Sequence, residues 1–535
     1  MTLIFYLIST FFFLWVFRNI LFWVSLWQIK EYRFDRLYVH LKETYQGKRL
    51  LFSPFSLVKW AALFSFIGVV FNDDFLLPYQ FLITGIFFVQ GFLVLKEASL
   101  RLIKRPVFTF KSIFIILASL LSILLLYVFP LVDKFFWLLF VDRLIPLFVT
   151  LFIFSLSFPT QLLRDWKIEE AAGKVKKFKN LLTIGITGSY GKSTTKEFTA
   201  QILSHKFNVV KTKANYNTPI GIANTVLSGL NKKTEILVAE MGAYKIGEIE
   251  ELCEIVTPKI GILTAVNNQH LSLFGSFENT LSTKYELIDA LPKNGFALFN
   301  GNNPNSLFLF KKTRKKKVLY MHLKEKNAEK IKSKADIVAF NTKVEKTSVS
   351  FQVLLKDKVI SFNAPFMGEH NVENVLPAIY IADYLGMNEE EIKHAVSRLS
   401  LPDKTLSIET VEGVYFMDDS YNANPEAVSA ILNYMKIYKG KKILVLQPMI
   451  ELGDKAGKEH FEIAKEASRI CDFLIMTNKN FYKSILKGVK EGGGECEVKV
   501  LKPSQIADFI ENTVDKGDVV VFEGKESGIA LEKIL

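Results

Sequence analysis

Five long apolar runs fill most of the first 160 or so residues, and nothing else in the chain limits its fold so sharply. They are Met1 to about Trp27, Ser56 to Phe71, Tyr79 to Leu95, Ser112 to Val132 and Leu144 to Pro159. Each is near the length needed to cross about 30 Å of hydrocarbon as a helix, so each is predicted to span a membrane. Only Arg18 and Asn19 interrupt the first run, which is too long and too weakly flanked for a cleaved signal peptide. Phe135 to Val141 is a shorter apolar piece, set apart by Lys134, Asp142 and Arg143. Basic residues give the orientation. Lys30, Arg33, Arg36, Lys42, Lys48 and Arg49 follow the first run, and Arg101, Lys104, Arg105 and Lys111 follow the third, whereas Asn72, Asp73 and Asp74 mark an outer loop. Five spans then place the N-terminus outside and everything after Arg164 in the cytoplasm, where ATP is. The competing reading, a buried all-helical soluble domain, fits poorly with so many apolar runs in so short a stretch.

The 535 residues suffice for three or four domains. The expected division is a multi-span region over 1–163, a linker helix over 164–180 (RDWKIEEAAGKVKKFK and its flank), a central ATP-binding domain over 181–404 and a C-terminal domain over 405–535. The formal charge of +13 does not point to nucleic acid. Much of the excess sits beside the apolar runs and in Lys311 to Lys317 (KKTRKKK), read as a solvated loop, and no aromatic-basic groove or reading helix is evident. Cys253, Cys471 and Cys496, at wide, odd spacing, form no CxxC, so neither a disulfide framework nor a zinc site is supported, and a reduced compartment is the default expectation.

Beyond the linker, Leu181 to Thr199 (LLTIGITGSYGKSTTKEFT) reads as strand, glycine loop and helix. Backbone N–H groups of such a loop converge at a helix start, where the dipole favours anions, so the loop cradles nucleotide phosphates. Lys192 would reach the β- and γ-phosphates and Ser193 would coordinate Mg²⁺. The spacing departs from the strict pattern, with Ile186 and Thr187 where the first glycine is expected. Strands at Ile236 to Ala239, Ile260 to Ala265 and Ala297 to Asn300, alternating with helices such as Lys284 to Leu291, predict a parallel sheet. A second doubly wound unit has strands at Val414 to Met417, Lys442 to Leu446, Phe473 to Met476 and Val519 to Phe522. Its helices include Ala427 to Tyr438 and Lys458 to Ile470. Four stretches look like site segments. They are the phosphate loop, the polar turn Lys213 to Gly221, Val238 to Glu248 with Glu240 at a strand's end, and Ala265 to Lys284 with His270 and Lys284.

Seven ordered motifs, ITGSYGKSTT, NYNTPIG, AEMGAYKIGEI, NNQHLSLFGSFENTLSTKYEL, GEHNVENVLPA, DDSYNANPEAV and PMIELGDKAGKEH, resemble those of the Mur ligases, most closely the MurF type. The resemblance covers Leu181 to Leu535 and implies a P-loop central domain, a Rossmann-like C-terminal domain and an ADP-forming amide ligase of cell-envelope precursor synthesis. It implies ATP and two Mg²⁺ ions as cofactors, and as partners a cell-wall precursor carboxylate and an amino acid or dipeptide amine. Thr187, Gly188, Ser189, Gly191, Lys192, Ser193 and Thr194 would bind ATP, with His370, Asn371, Asn374, Lys404, Asp419, Tyr421, Asn422 and Asn424. Ser193, Glu240 and His270 would be metal ligands, and Lys192, Lys284 and His270 catalytic, with Lys284 matching a lysine that is carbamylated in several of these ligases. Asn215, Asn217, Thr218, Glu523 and Lys525 fall at the substrate.

Departures from the pattern concern the substrate. A membrane region stands where MurF carries its UDP-sugar domain. Thr218 follows Asn217 in place of an asparagine, Pro402-Asp403-Lys404 replaces PGR, Gln447-Pro448 replaces Gly-Asp, and Glu523-Gly524-Lys525-Glu526 replaces KGSR. A lipid-linked acceptor at the cytoplasmic leaflet fits the membrane region, and a simpler reading is a MurF-type ligase whose sugar-binding role is done differently, with the helices only as anchor. The alternative is a non-catalytic nucleotide-binding scaffold or an ATPase-driven membrane protein. Against it stand the joint presence of Lys192, Glu240, His270 and Lys284 and the few charges within the runs, Arg18 and Asp142-Arg143.

Overall fold

Apolar side chains on every face of a helix leave it no polar side to turn to water, and the N-terminal helices of this computed structural model are of that kind. The structure describes residues 2–535 except 44, 214–215, 268–270, 328–333, 403–404, 421–422 and 450–451. The chain forms two compact units, Met1–Asp165 and Trp166–Leu535. Among the described residues of the helical region, five helices are long and apolar enough to cross a membrane: Ile4–Ile29, Gln46–Phe71, Leu76–Ser99, Phe110–Val128 and Lys134–Lys177. Their starts are built by local chemistry. Ser53 accepts from the Ser56 N–H with Pro54 in the first turn, and a Thr109–Ser112 capping box opens Phe110–Val128. Phe12, Val16, Ile20, Ile83, Phe87, Ile115, Leu139 and Val149 are buried among the helices, while Phe64, Ile67, Phe92, Leu117 and Phe154 are exposed.

Two expectations change here. The segment predicted to break into a short apolar piece, a span and a linker helix is one helix of 44 residues, Lys134–Lys177, running through Pro146 and Pro159. Asp142 does not break it because its charge is met inside the unit. Lys59 Nζ lies 2.8 Å from Asp142 Oδ2, Trp15 Nε1 donates to Oδ1 at 2.7 Å, and Arg143 Nη2 donates to Oδ2 at 2.6 Å. Lys59, itself only 1% exposed, is therefore a charge within the runs that the sequence tally omitted. Arg18 is paired too, with Glu97 at 2.9 Å.

The second unit holds two sheets. The strands of the first are β1 (Leu182–Thr187), β2 (Val209–Lys211), β3 (Ile236–Glu240), β4 (Ile260–Leu263), β5 (Phe296–Asn300), β6 (Lys317–His322), β7 (Ile337–Val344), β8 (Val349–Leu355) and β9 (Lys358–Ala364), in the order β2-β3-β1-β4-β5-β6-β7-β8-β9. β2 to β7 in that order pair in parallel, as expected of alternating strands and helices, but β8 and β9 add antiparallel. Lys356 and Asp357, both at positive φ (48° and 63°), make the two-residue turn between them. Phe198 on the helix Lys192–Leu203 stacks on Phe366 over one face, while helices Pro219–Gly229, Glu248–Val256 and Phe277–Asp289 cover the other.

The second sheet comprises β10 (Ser407–Val411), β11 (Val414–Asp419), β12 (Lys442–Leu446), β13 (Phe473–Met476), β14 (Glu497–Val500) and β15 (Val519–Glu523), ordered β10-β11-β15-β12-β13-β14. Only β10 runs antiparallel to its neighbour, and apolar cores fill both faces. All three cysteines are free and buried. The basic run Lys311 to Lys317 is more than a solvated loop: Lys315 donates to the Asp289 and Leu291 carbonyls, and Lys317 opens β6 while donating to Phe310 and Thr313.

Candidate active site

β1 delivers the chain to Gly188 and Gly191, whose positive φ values (152° and 78°) fold the loop over the start of the helix Lys192–Leu203. A side chain at Gly188 has no room, since a Cβ would stand 2.0 Å from Thr264 Oγ1. Neighbouring strands pin the loop: Ser189 N–H donates to the Ala265 carbonyl at 2.7 Å, Thr264 Oγ1 to the Tyr190 carbonyl at 2.5 Å, and Thr187 Oγ1 to the Met241 carbonyl at 2.9 Å. Lys192 curls back, its Nζ 2.7 Å from the Gly188 carbonyl and 3.1 Å from that of Ser189. Desolvation holds its pKa below the ordinary lysine range, partly opposed by Glu240.

Glu240 ends β3 directly beside β1, with Ile186 as its register partner. It is 3% exposed, its Oε1 accepts from Asn217 Nδ2 at 3.2 Å, and Lys196 Nζ forms an ion pair at 3.2 Å from Oε2. Beyond that ion pair no hydrogen bond reaches Oε2, so a buried carboxylate oxygen beside the phosphate loop retains lone-pair capacity for a hard cation. Lys284, on the helix Phe277–Asp289, is buried with its ammonium 5.6 Å from the Phe274 ring centroid. Burial, and next the Lys192 charge, lower its pKa to about 7.

A cavity of about 350 Å³ opens in front of the loop. Ser189, Gly191, Lys192, Ser193, Thr194, His370, Asn371 and Asn374 line it from the first sheet's domain, and Asp419, Asn424 and Glu426 from the second. Asn374 Nδ2 donates to Asn371 Oδ1 at 3.0 Å, and Asn374 Oδ1 accepts from Thr195 Oγ1 at 3.4 Å, tying the helix Asn371–Tyr384 to the phosphate-loop helix. Asn424 caps the helix Pro425–Met435 through Ala427 N–H at 3.0 Å. Burial raises Asp419 to about 6, and burial with the Asp419 charge raises Glu523 well above the usual carboxylate range.

Residues 186–382 match the Mur ligase middle domain, and residues 406–526 match the glutamate ligase domain of Mur ligases. A UDP-N-acetylmuramoyl-tripeptide–D-alanyl-D-alanine ligase of Borreliella burgdorferi is 30% identical over 361 residues, covering 66% of this chain and 73% of the relative. The chain belongs to the Mur ligase family. The ligase of the same name from Haemophilus influenzae is 28% identical over 380 residues, 70% of this chain and 80% of its own. MurF from Thermotoga maritima in complex with ADP aligns with a TM-score of 0.59 at 25% identity, over 69% of this chain and 82% of that one. MurF from Acinetobacter baumannii shares the fold, with a TM-score of 0.62 at 23% identity over 69% and 80%. The helical first unit is additional to both matched domains. The chain is thus an ATP-dependent peptide ligase of the MurF-like group.

Within this Mur ligase the structure gathers the phosphate loop, Glu240, Lys284, His370, Asn371, Asn374, Asp419 and Asn424 around one end of the first sheet and the facing edge of the second. Thr218 is spent as the cap of the helix Pro219–Gly229, accepting from Gly221 N–H at 3.4 Å. Lys525 is exposed at the start of the last helix, whereas Glu523 is fully buried. Asn215, His270, Lys404, Tyr421 and Asn422 lie outside the described residues. Sequence reasoning passed over Lys196 and Glu426. The signal for Lys196 was available, since it follows Lys192 by one helical turn and so faces the same strands; Glu426 carried none, because only the approach of the two domains brings it to the cavity.

Proposed function

We propose that this Mur ligase is an integral membrane protein whose cytoplasmic domains join an amine to a carboxylate of a cell-envelope precursor, through an acyl phosphate. The observation that carries the reading is the cavity in which the phosphate loop meets Asp419 and Asn424 of the C-terminal domain, with Glu240 and Lys284 close enough to its Lys192 to act on each other's charge. A carboxylate is a poor acyl donor because its oxygen leaves badly. Transfer of the γ-phosphoryl of ATP onto it makes phosphate the leaving group, and the amine then attacks the acyl carbon. Most of that task is positioning and charge compensation.

Lys192 would lie along the β- and γ-phosphates once ATP displaces its ammonium from the Gly188 and Ser189 carbonyls. The Gly191 N–H and its neighbours would face the phosphates at the helix start. Ser193, Glu240 and His270 would hold Mg²⁺, which supplies neutralisation of the charge on the transferring group. Asn371 and Asn374 would border the nucleoside, and the C-terminal domain, carrying Asp419 and Asn424, would exclude water from the activated acid. Lys284 as a carbamate would present a negative group toward the metal ligands, where its ammonium would repel the ion.

The exposed apolar faces of the first unit support insertion in a bilayer, with the basic loops inside. Membrane confinement favours a lipid-linked acceptor by raising its effective concentration. Phosphate release by the detergent-solubilised protein, offered soluble and lipid-linked muramoyl peptides against a panel of amines with Lys192→Ala as control, tests the reading. Release that requires both an acid and an amine supports a ligase. Robust turnover of a soluble UDP-muramoyl tripeptide without lipid sinks the lipid-linked acceptor, and release independent of any acid sinks the ligase.

A further inference from the structure

A file of alternating charges leads from the strand end beside the phosphate loop out to the surface. Lys196 Nζ stands 3.2 Å from Glu240 Oε2 and 3.4 Å from Glu197 Oε1, and Lys211 Nζ pairs with the other oxygen of Glu197, Oε2. Three elements supply the file. Lys196 and Glu197 follow one another on the helix Lys192–Leu203, Lys211 ends β2, and Glu240 ends the neighbouring β3, with Val238 as the register partner of Lys211. Exposure rises along it, from 1% for the Lys196 side chain to 40% for Lys211. Lys196, Glu197 and Lys211 do not line the cavity in front of the phosphate loop, so none of them touches the nucleotide there. An ammonium as deeply buried as that of Lys196 is costly unless an acid accompanies it at all times. Two acids lie within reach of this one, and only Glu240 belongs to the site.

Resting on the reading of Glu240 as a ligand for Mg²⁺, we propose that Lys196 is a positioning residue, a movable counter-ion whose hold on Glu240 is set from outside the site by Glu197 and Lys211. Without metal, Lys196 neutralises the buried carboxylate of Glu240. An ammonium and a divalent cation on the same carboxylate oxygen repel each other, so Lys196 must yield when the ion binds. Glu197 makes that possible. Lys196 passes from a shared position to Glu197 alone without crossing water and without ever standing unpaired. If Glu197 carried no charge, metal binding would strand a buried ammonium. Lys211 acts in the opposite sense, because it occupies one oxygen of Glu197 and takes part of the charge that Lys196 needs. Being partly exposed, Lys211 can be solvated by water when it lets go, so its own pairing is the weak link of the file.

The test uses the full-length protein in detergent with a saturating non-hydrolysable ATP analogue, titrated with Mn²⁺ in place of Mg²⁺ while electron paramagnetic resonance counts the free ion. Glu197→Gln should weaken Mn²⁺ binding by about tenfold, and Lys211→Met should tighten it by about threefold. Lys211→Arg, which keeps the charge, should bind as the native protein does. Both shifts should vanish when Lys196→Met is added, because the outer pair acts only through Lys196. That last comparison separates the proposal from a plain field effect, in which each shift would persist, and from a structural staple, in which no variant would move the affinity. Melting curves verify the fold, and should Glu197→Gln fail to fold, Lys211→Met with and without Lys196→Met carries the test from an exposed position. Unchanged affinity, shifts of the same sign, or shifts that survive in Lys196→Met overturn the proposal. Glu240→Gln reports on the reading beneath it. Mn²⁺ binding indifferent to Glu240→Gln removes the metal assignment and the proposal together, whereas binding lost in Glu240→Gln but unmoved by Glu197→Gln and Lys211→Met overturns the proposal alone.

Discussion

Lys284 offers the sharpest test of the chemistry. A lysine at its ordinary pKa of 10.5 is only about 0.03% neutral at pH 7, whereas one at about 7 is about half neutral, a gain on the order of a thousandfold in the form that attacks CO₂. Addition joins nitrogen to carbon, releases a proton and leaves a carbamate, whose negative charge turns the repulsion from Lys192 into attraction. The same shift has a stability signature. The folded state binds fewer protons at Lys284 than the unfolded chain between pH 7 and 10.5, so stability should rise with pH across that window, by on the order of 5 kcal/mol in the limit. Phosphate release in CO₂-depleted buffer should fall about tenfold or more and return with bicarbonate, and Lys284→Arg, which keeps the charge but cannot carbamylate, should lose about 100-fold or more in kcat. Carbon-13 NMR of protein equilibrated with labelled bicarbonate should show one carbamate carbon that Lys284→Arg lacks. Full activity without CO₂, together with no carbamate signal, would refute the reasoning.

Gly188→Ala forces a methyl group to 2.0 Å from Thr264 Oγ1 and should cut ATP-dependent activity by about 100-fold or more while leaving the melting transition cooperative. Lys196→Met removes the one cation paired with Glu240 among the described residues, so the Mg²⁺ concentration for half-maximal activity should shift several-fold, about threefold or more, with kcat at saturating Mg²⁺ changed less. His460 is fully buried, accepts the Met449 N–H at 2.9 Å and is held by burial at about 4. The unfolded chain takes up that proton first as pH drops, so stability should fall from pH 6.5 to 4 by about 3 kcal/mol, and His460→Leu should abolish this slope at a cost of about 1–3 kcal/mol for the orphaned N–H. Lys59→Met in detergent should lower the stability of the helical unit by about 3 kcal/mol, read as a lower melting temperature, because Asp142 then keeps only Arg143 and Trp15.

What could be read from the residues follows the range of the interactions. The phosphate loop was legible because strand, glycines and helix lie within twenty residues and the chemistry is local. The apolar helices were legible because composition alone excludes water. β8 and β9 escaped notice: their alternation, with Val349, Phe351 and Val353 turned inward, is a two-residue period inside a region expected to wind in parallel. The length of the helix Lys134–Lys177 was hidden for another reason. Asp142 and Arg143 look like punctuation in one dimension, and Lys59, 83 residues earlier, together with Trp15 makes them tolerable in three. The pairing of Asp419 with Glu523, 104 positions apart by number, depends in the same way on β11 and β15 becoming neighbours.

The departures from the family pattern fall mainly on one side of the cavity, and the structure gives a physical reason. On the phosphate-loop side, backbone geometry sets the shape: Gly188 admits no Cβ, Ser189 N–H and the Tyr190 carbonyl are engaged by neighbouring strands, and Gly191 sits at positive φ. A change there disturbs the loop itself, whatever the substrate. On the far side, β11 and β15 present side chains from strand ends whose backbone pairing is indifferent to what they carry. Exchanging a base for an acid at position 523 alters the charge of the site without moving a strand. Under the ligase reading, a fold so divided holds the phosphate loop fixed while the strand ends of the C-terminal sheet are free to vary, so those strand ends, rather than the phosphate loop, are the place to test what this ligase joins.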